Sequence, residues 1–334
     1  MNTNIAGLML IVLFMAFISA CGNESEHRDN LGKVATVATS GGDYNNPATA
    51  MSDYQKWCGS APSAENSCLL KIMPGVYNVG TSTVQMQPYI DIEGSGESTT
   101  IIQGSISSSD FQVGLVTGSN HSEIRFLTID NTGGVDDTIA FYNFSAAPKM
   151  TNITVKASGG VNSTGVHNVS SSPIMTNVTV TASGEAFNYG VSNSSSSFPV
   201  MSNVTTTASG GTYCNGVRNT SSSPIMTNMS VTVSCGEFNS GVHNSSSSPI
   251  LTNVTITALV GDYSYGVYND YSSGIITINH SIIKGATHTI SNSYPATTII
   301  TDTQLDGGPT ENGGTLSCEG VYDENYFALN AGCQ

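Results

Sequence analysis

The chain has 334 residues and a formal net charge of −15, with 9 Lys+Arg against 24 Asp+Glu. Charged residues make up only 10%, where soluble domains average about 25%, and so acidic a chain lacks the clustered cations that nucleic-acid binding requires. With 38% hydrophobic residues it can still order a core, which excludes wholesale disorder.

Residues 1–20 carry no charged side chain, and Ile5–Ala20 is almost wholly apolar. That run is short for a membrane span, which takes about 20 apolar residues, and reads as an export signal. It ends in Ile18-Ser19-Ala20-Cys21-Gly22, which resembles the lipobox of bacterial lipoproteins. The resemblance implies cleavage before Cys21, a thioether-linked lipid on its sulfur and acylation of the new amino group. Several acyl chains give firm membrane anchoring where one is marginal. The first four residues lack the usual Lys or Arg, a departure from the pattern. By the same resemblance, Gly22 rather than Asp implies sorting to the bacterial outer membrane, facing periplasm or cell surface. Gly22–Asn30 is polar and reads as part of a flexible tether spanning residues 21–33.

Seven cysteines are an odd number. With Cys21 set aside for lipid, six remain in three local pairs: Cys58/Cys68, Cys214/Cys235 and Cys318/Cys333. An exported chain meets an oxidising compartment, where disulfides persist. No C-x-x-C or neighbouring His gives the pairs a metal-site spacing. The middle pair has to cross between neighbouring repeats, so its bonding stays open at this level.

From about residue 140 the chain repeats itself. Asn152, Asn177, Asn203, Asn228 and Asn253 are spaced 25, 26, 25 and 25 apart, and Asn143, Asn168, Asn193, Asn219, Asn244 and Asn269 are spaced 25, 25, 26, 25 and 25. The one extra residue falls in the Ser-rich stretch before Phe198. Stacked repeats tolerate an insertion in a polar loop that leaves the apolar positions in phase. Each unit reads as short strands. In Val178-Thr179-Val180-Thr181 the period of two turns the valines in and the threonines out. Pro173-Ile174-Met175 precedes it, Thr176-Asn177 makes a corner, and Gly190–Asn193 forms another strand. One such coil cannot bury its apolar face alone. Stacking identical coils at about 4.8 Å lines up Met150, Met175, Met201, Met226 and Leu251, and separately Val166, Val191, Val217, Val242 and Val267. Stacked Asn side chains can hydrogen-bond along their column and tolerate the left-handed backbone of a tight bend. Many of these Asn stand in N-x-[ST], a glycan acceptor in eukaryotic secretion, but the bacterial-type leader and the strict spacing favour a structural role.

The pattern resembles the pectin lyase-like right-handed parallel β-helix. The resemblance covers roughly residues 34–310 and includes Leu69-Leu70-Lys71-Ile72-Met73-Pro74-Gly75-Val76-Tyr77-Asn78 as a first-coil stretch and Ile90–Gly96 with Thr99–Ile102 as a second. It implies an all-β, single-stranded solenoid of about nine coils of roughly 25 residues, a rod of roughly 45 Å. The expected layout is an N-terminal cap over residues 34–68 with a helix at Ala48–Cys58, the β-helix over 69–310, and a C-terminal cap over 311–334 closed by Cys318/Cys333. Capped ends are needed because open strand edges invite aggregation.

Enzymes of that superfamily act on acidic polysaccharides, and their site motifs are sparse here. Asp136-Asp137 is the only Asp-Asp pair, and Arg occurs only at 28, 125 and 218. Asp136, Asp137 and Arg125 are the weak catalytic candidates. Paired carboxylates can do general acid–base work, but adjacent residues on a strand point to opposite faces, and a solvated loop is the plainer reading. Glu185, Glu237 and Asp262 recur in neighbouring loops, a thin basis for Ca²⁺, which prefers several oxygen ligands. No cofactor is expected, and His167 and His243 stand too far apart along the stack to share a metal.

The residue before the second Asn column gives the row Tyr142, His167, Ser192, Arg218, His243, Tyr268. Its neighbours should face inward, so this row should face outward. Phe187, Tyr189, Tyr213, Phe238, Tyr263 and Tyr265 lie in nearby turns by the same reading. Planar rings with polar edges suit stacking on sugars; ordinary solvent-facing strand positions are the plainer alternative. Two functions fit: a non-catalytic envelope lipoprotein displaying a rod for glycan binding, adhesion or envelope structure, or a polysaccharide lyase or hydrolase with an unusual site. The absence of a basic, carboxylate-rich cleft favours the first.

Overall fold

The computed structural model describes residues 31–270 and 274–334; the leader and Cys21 lie outside the described residues. The apolar columns stack as the repeat requires. Met150 pairs in register with Met175, then Met201, Met226 and Leu251. Val166 pairs with Val191, Val217, Val242 and Val267. Every member of both columns is fully buried, and each buried side chain of this size contributes about 1.5–3 kcal/mol. The strand-to-strand ladders are parallel, in one 19-stranded and one 10-stranded sheet, as a right-handed solenoid of about 9 turns.

Within a coil the first sheet supplies one bent strand, for example Ile174–Ser183. The bend falls at Asn177, whose φ is 54°, and Asn152, Asn203, Asn228 and Asn253 are alike at 50–55°. Phe126, His280 and Asp302 also hold positive φ at the matching corners of other coils, so the backbone bend recurs beyond the Asn-bearing coils. Asn is the residue that adds a ladder: Asn177 Nδ2 donates to Asn152 Oδ1 (2.9 Å), and the chain of bonds continues to Asn253. This ladder is solvent-facing. The second ladder, Asn143 to Asn269, is fully buried on the other sheet. Its amides donate in the opposite sense, each to the next coil, at 2.8–2.9 Å. Asn269 in turn donates to Asn292 Oδ1 on the next coil (3.3 Å) and to Thr298 Oγ1 (2.9 Å).

The helix expected at Ala48–Cys58 forms as two short pieces, Pro47–Ser52 and Tyr54–Trp57, broken at Asp53. Asn46 caps the first by accepting from Ala48 N at 2.8 Å, and Pro47 starts it, where its missing N–H costs nothing. Ala50 and Met51 are buried against the end of the coil stack. The strand Leu31–Val37 pairs in parallel with Ser67–Ile72, so the solenoid begins ahead of that helix. At the other end Thr315–Glu319 and Tyr322–Asp323 continue the parallel ladder, within the segment expected to be cap alone. All three disulfides form: Cys58–Cys68, Cys214–Cys235 and Cys318–Cys333. Cys214–Cys235 does join neighbouring coils, which resolves the pairing left open above.

Candidate functional site

The 10-stranded sheet carries the expected row in strict register. His167 pairs with Tyr142 and Ser192, Arg218 with Ser192 and His243, and His243 with Tyr268. The expectation that the whole row is open to solvent is corrected at its first three members. Tyr142, His167 and Ser192 are only 7%, 8% and 4% exposed. The segment Ile106–Leu115 folds back here: Ser108 bridges Asp137, and the Phe111 ring lies 4.6 Å from that of His167. Beside Tyr142, the residues Gln85, Gln112, Thr117, Gly118 and Phe144 line an open recess of about 390 Å³. Arg218, His243 and Tyr268 stay partly exposed.

The aromatic residues assigned to turns lie in strands of this same face. Phe187–Ser194, Tyr213–Thr220, Phe238–Ser245 and Tyr263–Asp270 each begin with one of them. They make two further rows: Phe187, Tyr213, Phe238 and Tyr263, and beside it Tyr189, Asn215, Ser240 and Tyr265. In the first, the rings of Phe187 and Tyr213 stack at 4.8 Å.

A glycine column separates these rows from the His/Arg row: Gly165, Gly190, Gly216, Gly241 and Gly266. A Cβ at Gly165, Gly216 or Gly241 would run into Val180, Val231 or Ile256 of the opposite sheet. Each strand therefore dips toward the core at its glycine, and the outward side chains on either side lean together. Tyr265 and Tyr268 stand 5.0 Å apart, Phe238 and Tyr268 5.6 Å, and the Arg218 guanidinium carbon lies 5.2 Å over the Tyr189 ring. The result is a shallow trough in the backbone along the rod, its buried glycine floor covered by the rings that meet over it. The glycine recurs at one offset in every repeat, a signal legible in the sequence that the period-two reading passed over. The covering Phe111 segment lies outside the repeat and had no such signal.

The trough's electrostatics follow from burial. His167 and His243 are each held down to about 4, by burial first and by the Arg218 charge second, so both imidazoles are neutral at neutral pH. Burial raises the Tyr189 phenol against the opposing Arg218 charge, with Asp137 adding a smaller upward push, and raises Tyr265, with Glu311 adding to the effect. His167 Nδ1, His243 Nε2, Thr164 Oγ1 and Ser240 Oγ are buried with no hydrogen-bond partner in the protein.

The catalytic candidates do not come together. Arg125 lies on the first sheet, its guanidinium within 3.2 Å of Asp91, 2.8 Å of Glu93 and 2.9 Å of Glu123. Lys71 also holds Glu93, at 2.6 Å. Burial raises Glu93, but the bonds from Lys71 and Arg125 outweigh it and lower its pKa, while at Asp91 burial wins and raises it. This network closes on itself, and neither Asp136 nor Asp137 enters it. Asp136 is exposed in the turn before Thr138, and Asp137 accepts from Asn162 Nδ2 at 2.6 Å. Glu185, Glu237 and Asp262 are exposed turn residues, and among the described residues no group of three or more acidic, His or Cys side chains is placed to hold a metal.

No protein-family model and no curated protein matches the chain. Solved structures match its fold. The Dettilon tailspike protein aligns with a TM-score of 0.61 at 11% identity, over 87% of this chain and 61% of that one, so the chain spans under two thirds of the tailspike. The A-module of a mannuronan C-5 epimerase from Azotobacter vinelandii aligns at 0.49 and 14% identity, over 91% of each chain. A pectin methylesterase from carrot aligns at 0.41 and 13%, over 90% of this chain and 79% of that one. The fold is a right-handed parallel β-solenoid, shared with the tailspike.

Proposed function

We propose that this protein is a non-catalytic envelope lipoprotein whose β-helix rod holds an extended polysaccharide along the trough of the second sheet. The lipid on Cys21 tethers it to the bacterial outer membrane. The observation that carries this reading is the convergence of aromatic and hydrogen-bonding rows across the glycine line. A repeating ligand matches a surface that repeats once per coil, about every 4.8 Å. Flat ring faces stack on sugars while buried polar atoms beside them await partners.

The test uses soluble residues 22–334 and affinity electrophoresis through gels containing neutral or acidic polysaccharides, with and without Ca²⁺. Retardation without change in the polysaccharide supports a binder. Unsaturated or new reducing-end products would establish a lyase or hydrolase instead. Tyr265→Ala and Tyr268→Ala should each weaken retention by roughly threefold to tenfold, the worth of an aromatic contact. The anchor is tested separately: the full chain should take up labelled fatty acid in a bacterial host, and Cys21→Ala should abolish that uptake. Labelling that survives the substitution would refute the tether.

A further inference from the structure

The trough contains one cation. Arg218 sits mid-row, between Ser192 and the neutral imidazole of His243. Lys56, Lys71, Arg125 and Lys284 each contact a carboxylate, whereas Arg218 has no carboxylate within salt-bridge distance among the described residues. Its guanidinium carbon lies over the Tyr189 ring, 5.2 Å from its centre. A cation–π contact draws on the charge and not on the N–H donors, which Arg can present to a planar oxyanion as two parallel hydrogen bonds. The protein's large negative charge makes an unneutralised Arg costly to waste and a polyanion unwelcome. Asp137 and Glu311 act on Tyr189 and Tyr265 of the same trough, and this nearby negative charge disfavours a ligand that is charged at every unit.

We propose that Arg218 is an anion subsite that takes the carboxylate of a single acidic sugar within an otherwise neutral glycan. A chain acidic at every unit does not fit. The proposal rests on the carbohydrate-binding reading and gives it a ligand class. A second observation supports a ligand here: His243 Nε2, on the coil next to Arg218, is buried without a hydrogen-bond partner in the protein. Buried polar atoms are almost always satisfied, and sugar hydroxyls can donate to or accept from a neutral imidazole. The neutral units would rest on the rings of Tyr265 and Tyr268.

The experiment uses a glycan array of neutral oligosaccharides, sparsely acidic heteroglycans with their carboxyl-reduced twins, and homopolyuronates, probed with residues 22–334. The wild type should prefer an acidic member over its reduced twin by about tenfold, as expected for a charge-assisted hydrogen-bonded pair, and should bind homopolyuronates less well. The preference should shrink with added salt. Arg218→Gln should bring the ratio close to one, and Arg218→Lys should keep part of it; circular dichroism of each variant confirms that the coil stack is intact. If the wild type binds neutral glycans and shows no acidic preference, or if the preference survives in Arg218→Gln, the subsite is refuted and the carbohydrate reading stands. If no glycan is retained, both fall.

Discussion

The two asparagine ladders look equivalent in the repeat and should behave differently when broken. Asn193 is fully buried, accepts from Asn168 Nδ2 at 2.8 Å and donates to Asn219 Oδ1 at 2.9 Å. Asn193→Ala strands a buried donor on one side and a buried acceptor on the other. Each stranded group costs about 1–3 kcal/mol, so the substitution should remove about 2–6 kcal/mol. Asn203 makes the same two kinds of bond on the outer ladder, at 3.1 and 3.2 Å, but water can replace them there. Its backbone φ of 55° is the larger factor, since a left-handed non-glycine residue costs about 1–2 kcal/mol. Asn203→Ala should therefore cost about that much, and Asn203→Gly, which needs no side chain to relieve the bend, should cost less. Urea unfolding followed by far-ultraviolet circular dichroism measures all three. An Asn193→Ala variant within about 0.5 kcal/mol of wild type, or an Asn203→Ala variant as damaged as Asn193→Ala, would refute the assignment of the inner ladder as the energetically important one.

Further outcomes follow from the same geometry. Gly216→Ala forces a Cβ against Val231 and the Gly241 carbonyl, so it should destabilise by about 1–3 kcal/mol and flatten the trough, visible as weaker glycan retention in the folded fraction. His167 and His243 are depressed from 6.5 to about 4, so the unfolded chain binds more protons between those values. Their contribution is complete above about pH 6.5 and is lost as pH falls toward 4, by about 3 kcal/mol each at most. His243→Gln should flatten that part of a stability–pH profile, and an unchanged slope would contradict the burial of this imidazole. Removing the inter-coil crosslink with Cys214→Ala/Cys235→Ala opens a loop of sequence separation 21 and should lower stability by about 3 kcal/mol, measured by thermal melting against the wild type.

The sequence by itself determined the coil. A strict 25-residue spacing with alternating Val and Thr allows few ways to bury the valines, and identical coils bury them best against each other. The Met, Val and Asn columns could be read directly because in-register stacking turns a spacing in sequence into a neighbour in space. The disulfide partners at the two ends were legible for the related reason that each pair lies close along the chain. Tertiary structure alone decided which outward residues meet. The row from Tyr142 to Tyr268 is legible residue by residue, yet its first three members are buried, and Phe111, which packs on His167, arrives from a segment outside the repeat. Arg125 could be singled out as a scarce cation, but of its three carboxylate partners Glu123 shares its strand while Asp91 and Glu93 lie on the strand of the preceding coil and become neighbours only when the two coils stack. The same holds for the Arg218–Tyr189 contact. Local periodicity fixes the direction in which a side chain leaves the backbone; its partners depend on the path of every other coil and loop, and on the inward step at each glycine that tilts two rows toward one another.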